Sequence, residues 1–277
     1  MNNSFNKKSI RKVIEIRLIR NMVYFRYLAL GYLMLMSVLS VQAQSSAKKE
    51  KFPSYFGFQY RPIFPTRFIG DPETIMTQDE YSNTITQQMG FSFGGTVRAG
   101  ITKLIAIETG INLTRRNFAV SMSIADSNVY GENNLRFLTY DIPLNTLIYV
   151  QLSEQFFMNA SLGLNIAYKP TNVGILTLPG GSHSFTHTGK AGAKLNFGLN
   201  ANIGFEFRTE KSGFFYIGGS GLVPFSPLFN MIAQYKYQGY SNTIYADIDG
   251  SYLALDFKYF FPNIQQRGPQ FKRGPIE

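Results

Sequence analysis

The stretch "LNFGLNANIGFEFR", residues 195–208, constrains the fold more than any other feature of the chain. Its odd positions are Leu195, Phe197, Leu199, Ala201, Ile203, Phe205 and Phe207, and its even positions are Asn, Gly, Glu or Arg. A period of two is a strand with one apolar and one polar face. A soluble sheet buries the apolar face and covers the other with charged residues. Here the polar faces of three strands are Gly90, Ser92, Gly94, Thr96; Asn159, Ser161, Gly163, Asn165; and Gly198, Asn200, Asn202, Gly204. None of these residues is charged and five are glycine. Glycine weakens a solvated strand, but small side chains are what the narrow interior of an eight-stranded barrel admits. The polar face is therefore expected to look inward and the apolar face to meet lipid. Lipid cannot hydrogen-bond a free strand edge, so such a sheet must close on itself.

The same period recurs along the chain. Phe56, Phe58 and Tyr60 show it, as do Met89, Phe91 and Phe93, then Ile105, Ile107, Ile111 and Leu113. Leu138, Tyr140, Ile142 and Leu144 follow, then Met158 through Tyr168, and Leu253 through Phe261. "FFYIGGSGL" (214–222) is strand-like with an ambiguous facing. Eight strands result. A hairpin of "MIAQYKYQ" and "TIYADI" would make ten. After Leu144 the apolar set resumes out of phase at Leu147 and Tyr149, and Pro143 precedes the slip; a bulge over 143–146 is expected.

Connections alternate between tight turns (100–103, 151–155, 209–213) and long segments (65–87, 115–133, 169–193, 223–250). That sorting predicts an all-β, eight-stranded antiparallel up-and-down transmembrane β-barrel over 53–262, with four long outer loops and short periplasmic turns. Tyr55, Phe56, Phe156, Tyr168, Phe205, Phe207, Tyr259 and Phe261 lie near strand ends and suit interfacial girdles.

Six charged residues fall on inward positions: Arg98, Glu108, Glu206, Arg208, Asp256 and Lys258. Three are positive and three negative. An unpaired charge in a confined interior is costly, so these are expected to pair into a structural network that occludes the lumen.

The formal net charge of +10 is not a nucleic-acid signal. Residues 1–43 hold seven basic residues against Glu15 alone, so +6 of it lies there, and no basic stripe carries interleaved aromatics. "YLALGYLMLMSVLSVQAQ" (27–44) follows that basic stretch and ends in Val41-Gln42-Ala43, the pattern of a secretory signal peptide cleaved after Ala43. Met22 would give a leader of ordinary length; N-terminal sequencing of the precursor decides between the starts. Residues 44–52 are expected to be a short linker and "NIQQRGPQFKRGPIE" (263–277) a flexible tail.

Sites for chemistry are sparse. Cysteine is absent, which excludes disulfides and thiolate chemistry. His183 and His187 sit in "GSHSFTHTG", expected in an outer loop without a third metal ligand. Ser184 and Asp126 have no spacing that supports a triad with them. No catalytic, cofactor or metal residue is assigned.

"IETGINLTRRNF" (107–118), "YDIPLNTLIYV" (140–150) and "FFMNASLGLNIAY" (156–168) resemble the PorT-like outer-membrane β-barrel family of Bacteroidota. The resemblance covers most of 53–261 and implies an eight-stranded barrel in the outer membrane of a Gram-negative bacterium. It brings no catalytic residues, and implies contact with outer-membrane lipid and with envelope or secretion proteins. The expected role is non-enzymatic: structural, interacting or secretion-accessory. The alternatives are a narrow channel for small solutes and a lipid-modifying enzyme.

Overall fold

The computed structural model describes residues 54–262 apart from 103, 126–128, 210 and 211. The expected leader, linker and tail, and Asp126, lie outside the described residues. Among the described residues there are thirteen strands and no helix. They are β1 (Ser54–Phe64), β2 (Glu73–Gln78), β3 (Tyr81–Gly100), β4 (Ile105–Ile124), β5 (Val129–Gln151), β6 (Phe156–Tyr168), β7 (Val173–Gly180), β8 (His183–Lys190), β9 (Leu195–Arg208), β10 (Phe214–Pro224), β11 (Phe229–Tyr237), β12 (Tyr240–Ile248) and β13 (Tyr252–Phe260).

Eight strands close a barrel in the order β1-β3-β4-β5-β6-β9-β10-β13, and β13 pairs back onto β1. Every pairing is antiparallel and each barrel strand neighbours the next in the chain, which is the up-and-down topology. The expected count of eight falls short of the thirteen strands among the described residues, because the four long segments are not loops. Each folds into strands. Segment 65–87 holds β2 and the start of β3, and 115–133 holds the far halves of β4 and β5. Segment 169–193 is the β7–β8 hairpin, and 223–250 contains the β11–β12 hairpin. That last hairpin does not widen the barrel. It joins β7 and β8 in a separate four-stranded sheet, ordered β12-β11-β8-β7.

Beyond the barrel, β2 and the far halves of β3, β4 and β5 face this second sheet and form a cap with an apolar core. Phe118, Val120, Met122, Leu135 and Phe137 of one sheet pack with Phe185, Phe229, Met231 and Ala233 of the other. Phe229 stands between Phe118 and Phe137, with ring centroids 5.2 and 5.1 Å away.

The barrel wall inverts this pattern. On β9 every odd residue from Leu195 to Phe207 is exposed, while Asn196 to Glu206 on even positions are buried. Those outward positions run about 40 Å along the strand, and a tilt of about 40° brings that to roughly 30 Å, the thickness of a bilayer's hydrocarbon. The facing of β10 is settled as well: Phe214 and Tyr216 point in, Phe215 and Ile217 point out.

Two local expectations are corrected. No bulge exists at 143–146. β5 pairs with β6 continuously from Tyr140 to Gln151, and its alternation carries Pro143, Asn145, Leu147 and Tyr149 inward without a slip. Leu147 and Tyr149 are apolar residues of the lumen floor, packed with Ala106 and Phe157. The bulge lies instead in β3, between Gln88 and Phe91. It transfers the inward phase from Tyr81, Asn83, Ile85 and Gln87 to Ser92, Thr96 and Arg98. The side chain of Asn117 donates to the Met89 carbonyl there at 2.7 Å. Gly90 permits the approach, since a Cβ at this position would strike the Arg115 carbonyl. The second correction concerns Tyr55, which is not part of a girdle: it points inward and packs edge-on against Phe214 at 4.9 Å. Phe56, Phe58 and Phe261 form the outward aromatic cluster at that end, with centroids 5.5 to 6.0 Å apart.

Candidate functional site

The barrel interior gathers the polar chemistry in layers. At the short-turn end lies a floor of Tyr55, Tyr149, Phe157, Phe214 and Phe260. Two guanidinium groups are set into it. Arg98 lies 4.2 Å from the Phe260 ring centre and Arg208 lies 4.0 Å from that of Phe157. Aromatic faces of this kind attract a cation and also fill the space around it.

All six charged residues singled out in the sequence line the lumen. Arg98, Glu108, Glu206, Asp256 and Lys258 are buried and Arg208 is half-buried. Five of them form one connected cluster. Arg98 Nε and Nη2 donate to Glu108 Oε2 at 2.9 and 2.6 Å, and Arg98 Nη1 pairs with Glu206. Arg208 Nε donates to the other Glu206 oxygen at 2.7 Å, and Lys258 pairs with Glu108. Asp256 stands apart. Its partners are Arg61 and the side-chain amide of Asn202. Arg61 is absent from the set singled out in the sequence. Its place in the alternation Tyr55, Gly57, Gln59, Arg61 marks it as inward.

Above the ion pairs is a layer of amides and hydroxyls. Asn200 Nδ2 donates to Asn145 Oδ1 at 3.0 Å, Gln59 donates to Asn112, and Thr114 Oγ1 bonds Ser92 Oγ at 2.8 Å and the Asp141 carboxylate. The hydroxyl of Tyr216 bonds Asn202 and occupies the space that side chains at Gly204 and Gly218 would need. At the far mouth Ile63, Leu222, Tyr252 and Ala254 pack together. The segments before β11 and before β13 are tied across this mouth. Lys169 Nζ donates to the Leu228 carbonyl at 2.7 Å, Asn196 Nδ2 to Ser226 O at 3.1 Å, and Arg116 to Gly250 O. Side chains therefore fill the lumen from floor to mouth, and the cap sits over it.

The two histidines are on strand β8, not in a loop. Residues four apart on a strand are separated by roughly 13 Å, too far to share one metal ion. His183 stacks on Tyr237 at 4.0 Å and its Nδ1 bonds the Tyr235 hydroxyl at 2.7 Å. His187 is buried in the cap core, where burial pushes its pKa down to about 4. Ser184, of the opposite parity on β8, faces away from His187.

Fold and interior together define a closed β-barrel with an apolar exterior and a packed polar lumen. No family model and no curated protein matches the sequence. Among solved structures the chain is similar to the outer membrane protein OprG from Pseudomonas aeruginosa, with 13% identity and a TM-score of 0.47 over 77% of this chain and 98% of that one.

Proposed function

We propose that this chain is a non-enzymatic barrel of a Gram-negative outer membrane, occluded to solutes, that anchors a rigid β-structured cap on the outer side. The observation that carries this reading is the inversion of the barrel wall. Phe197, Leu199, Ile203, Ile217, Leu255 and Phe257 stand in the exposed belt while Arg61, Arg98, Glu108, Glu206, Asp256 and Lys258 are buried behind it. Water would oppose both placements, and a bilayer favours both. Short turns at the end that holds the aromatic floor support a periplasmic position for that end. The motifs at 107–118, 140–150 and 156–168 favour a place among the PorT-like barrels of Bacteroidota, with envelope or secretion proteins as partners.

Planar-bilayer recording of the refolded chain tests occlusion. The expected result is a baseline without steady open-channel current. A large, persistent conductance would select the solute-channel alternative. Crosslinking in native outer membrane, followed by mass spectrometry, identifies what the cap touches.

A further inference from the structure

Above the mouth the barrel wall is continued in two different ways. β3, β4 and β5 run from barrel to cap without a break, whereas β6, β9, β10 and β13 all stop there. The chain resumes as β7, β8, β11 and β12 across connectors of three or four residues: 169–172, 191–194, 225–228 and 249–251. The resumed strands keep the order of those they continue, β12-β11-β8-β7 for β13-β10-β9-β6. Each connector holds one residue that interrupts a ladder, namely Pro170, Gly192, Pro227 and Gly250. At its sides the second sheet meets the first, with β12 beside β2 and β7 beside β5, yet no ladder joins the two among the described residues. One side of the wall is continuous and the other is interrupted along a line, which is the layout of a flap on a hinge.

Two buried cations act on that line. In the lumen Arg61, Arg98, Arg208 and Lys258 bond carboxylates. Lys169 and Arg116, both buried at the mouth, instead bond backbone carbonyls of the connectors. Lys169 Nζ donates to Leu228 O at 2.7 Å and to Pro227 O at 3.3 Å, which staples the connector after β6 to the one before β11. Arg116, on the unbroken β4, donates to Gly250 O and lies 4.6 Å from the Tyr252 ring centre, which ties the connector before β13 to the continuous wall. Gly250 permits this approach, since a Cβ there would stand 2.7 Å from Arg116 Nη1. Buried carbonyls at a break have no ladder partner and must be satisfied by other groups, and bonds from a charged donor are among the stronger ones. The apolar core of the cap is non-directional in its attraction. It resists separation of the sheets but does not fix their angle. The directional bonds at the hinge line do.

We propose that the sheet of β7, β8, β11 and β12 is a lid hinged at these four connectors, and that Lys169 and Arg116 are positioning residues that latch it closed over the barrel mouth. Without a latch, the freed carbonyls turn to water, the connector lifts, and the lid tilts as a unit with its own ladders intact. This deepens the reading of an occluded barrel with a rigid cap and rests on it, because it assigns that rigidity to two side chains.

The chain has no cysteine, so introduced pairs can be spin-labelled without background. Ile75→Cys with Tyr245→Cys spans the seam between β2 and β12, and Leu176→Cys with Tyr245→Cys lies within the lid; all three positions are exposed. Dipolar electron paramagnetic resonance on the full chain in lipid nanodiscs reads both distances. With the latches present, each pair should give a single narrow distance. Lys169→Met should abolish the narrow seam distance and leave the in-lid distance as it was. Lys169→Arg, which keeps a charged donor, should restore it. Arg116→Met tests the second latch and should act in the same direction. Each variant must keep the mobility difference between unheated and boiled samples on SDS gels, which reports a folded barrel. A seam distance unchanged in both methionine variants overturns the proposal. So does broadening of the in-lid pair, which would mean that the cap unfolds instead of tilting. A broad seam distance with both latches in place overturns the rigid-cap reading itself, a result distinct from a narrow distance that ignores the latches.

Discussion

Strand β4 passes through two regions built on opposite rules. In the barrel its inward residues are Glu108, Asn112, Thr114 and Arg116, and its outward residues are Ile105, Ile107, Ile111 and Leu113. Beyond Arg116 the same inward parity carries Phe118, Val120, Met122 and Ile124, and the outward parity carries Asn117, Ala119, Ser121 and Ser123. The backbone alternation never changes; only the residue types exchange sides. The partner strand changes at the same level, where Arg115 and Arg116 pair with Leu138 and Phe137. On the membrane reading proposed above, what differs is the surrounding medium. Lipid outside requires polar groups to satisfy one another within the lumen, whereas water outside the cap lets ordinary hydrophobic burial hold it. The comparison teaches that the boundary between the two regions is written within single strands.

The largest effect should come from breaking each region by its own rule. Arg98→Ala strips Glu108 and Glu206 of a shared partner and leaves charge buried, at a cost of about 3–5 kcal/mol. The gel-mobility difference of the folded barrel should then vanish at a lower temperature. Phe229→Ala opens a cavity in the cap core at a similar cost of about 3–5 kcal/mol. It should expose the cap to protease while leaving the barrel's gel mobility intact. Simultaneous loss of both regions in either variant would show that they fold as one unit.

A sharper test places the same substitution on one face of one strand. Ile111→Arg sets a charge in the apolar belt and should destabilise by about 2–4 kcal/mol. Ser121→Arg, on the same face ten residues on, should change stability by no more than about 0.5 kcal/mol. Urea unfolding in lipid vesicles measures both. Equal costs would dissolve the boundary proposed at Arg116.

The third test uses pH. His187 is flanked on neighbouring strands by Ile175 and Ala233, neither of which can hold a charge. Burial pushes its pKa down to about 4, below the ordinary histidine range. The unfolded chain therefore binds a proton that the folded cap refuses. The associated stability is complete above pH 6.5 and is lost as pH falls toward 4, up to roughly 3 kcal/mol. The urea midpoint of cap unfolding should fall between pH 7.5 and 4.5, and His187→Leu should flatten that fall. An unchanged slope in the variant would assign the pH response to other groups.

Much of the barrel was legible because its wall repeats one signal. Leu195 to Phe207 alternate with Asn and Gly so cleanly that facing, closure and the inward placement of Glu206 follow from the residues alone. The cap was hidden by the same logic. Phe118, Val120, Met122 and Ile124 keep the inward parity of Glu108 and Thr114, but an expected apolar-outward rule makes them look like a strand that has ended. Leu147 and Tyr149 misled for the same reason, as apolar residues facing a lumen expected to be polar. The β3 bulge between Gln88 and Phe91 had no proline to announce it. Arg61 shares the inward parity of Gln59, yet only the pairing of β1 with β13 brings it beside Asp256.

The unbroken run of β4 and β5 has a mechanical consequence. Their ladder holds register from the turn end to the tip, so a pull at the tip loads many backbone hydrogen bonds lengthwise and together. The sheet of β7, β8, β11 and β12 hangs from the wall by connecting segments and by its packing against the facing sheet. Under tension that hinged half gives way first, peeling from its neighbour while the stave beneath it stays rooted.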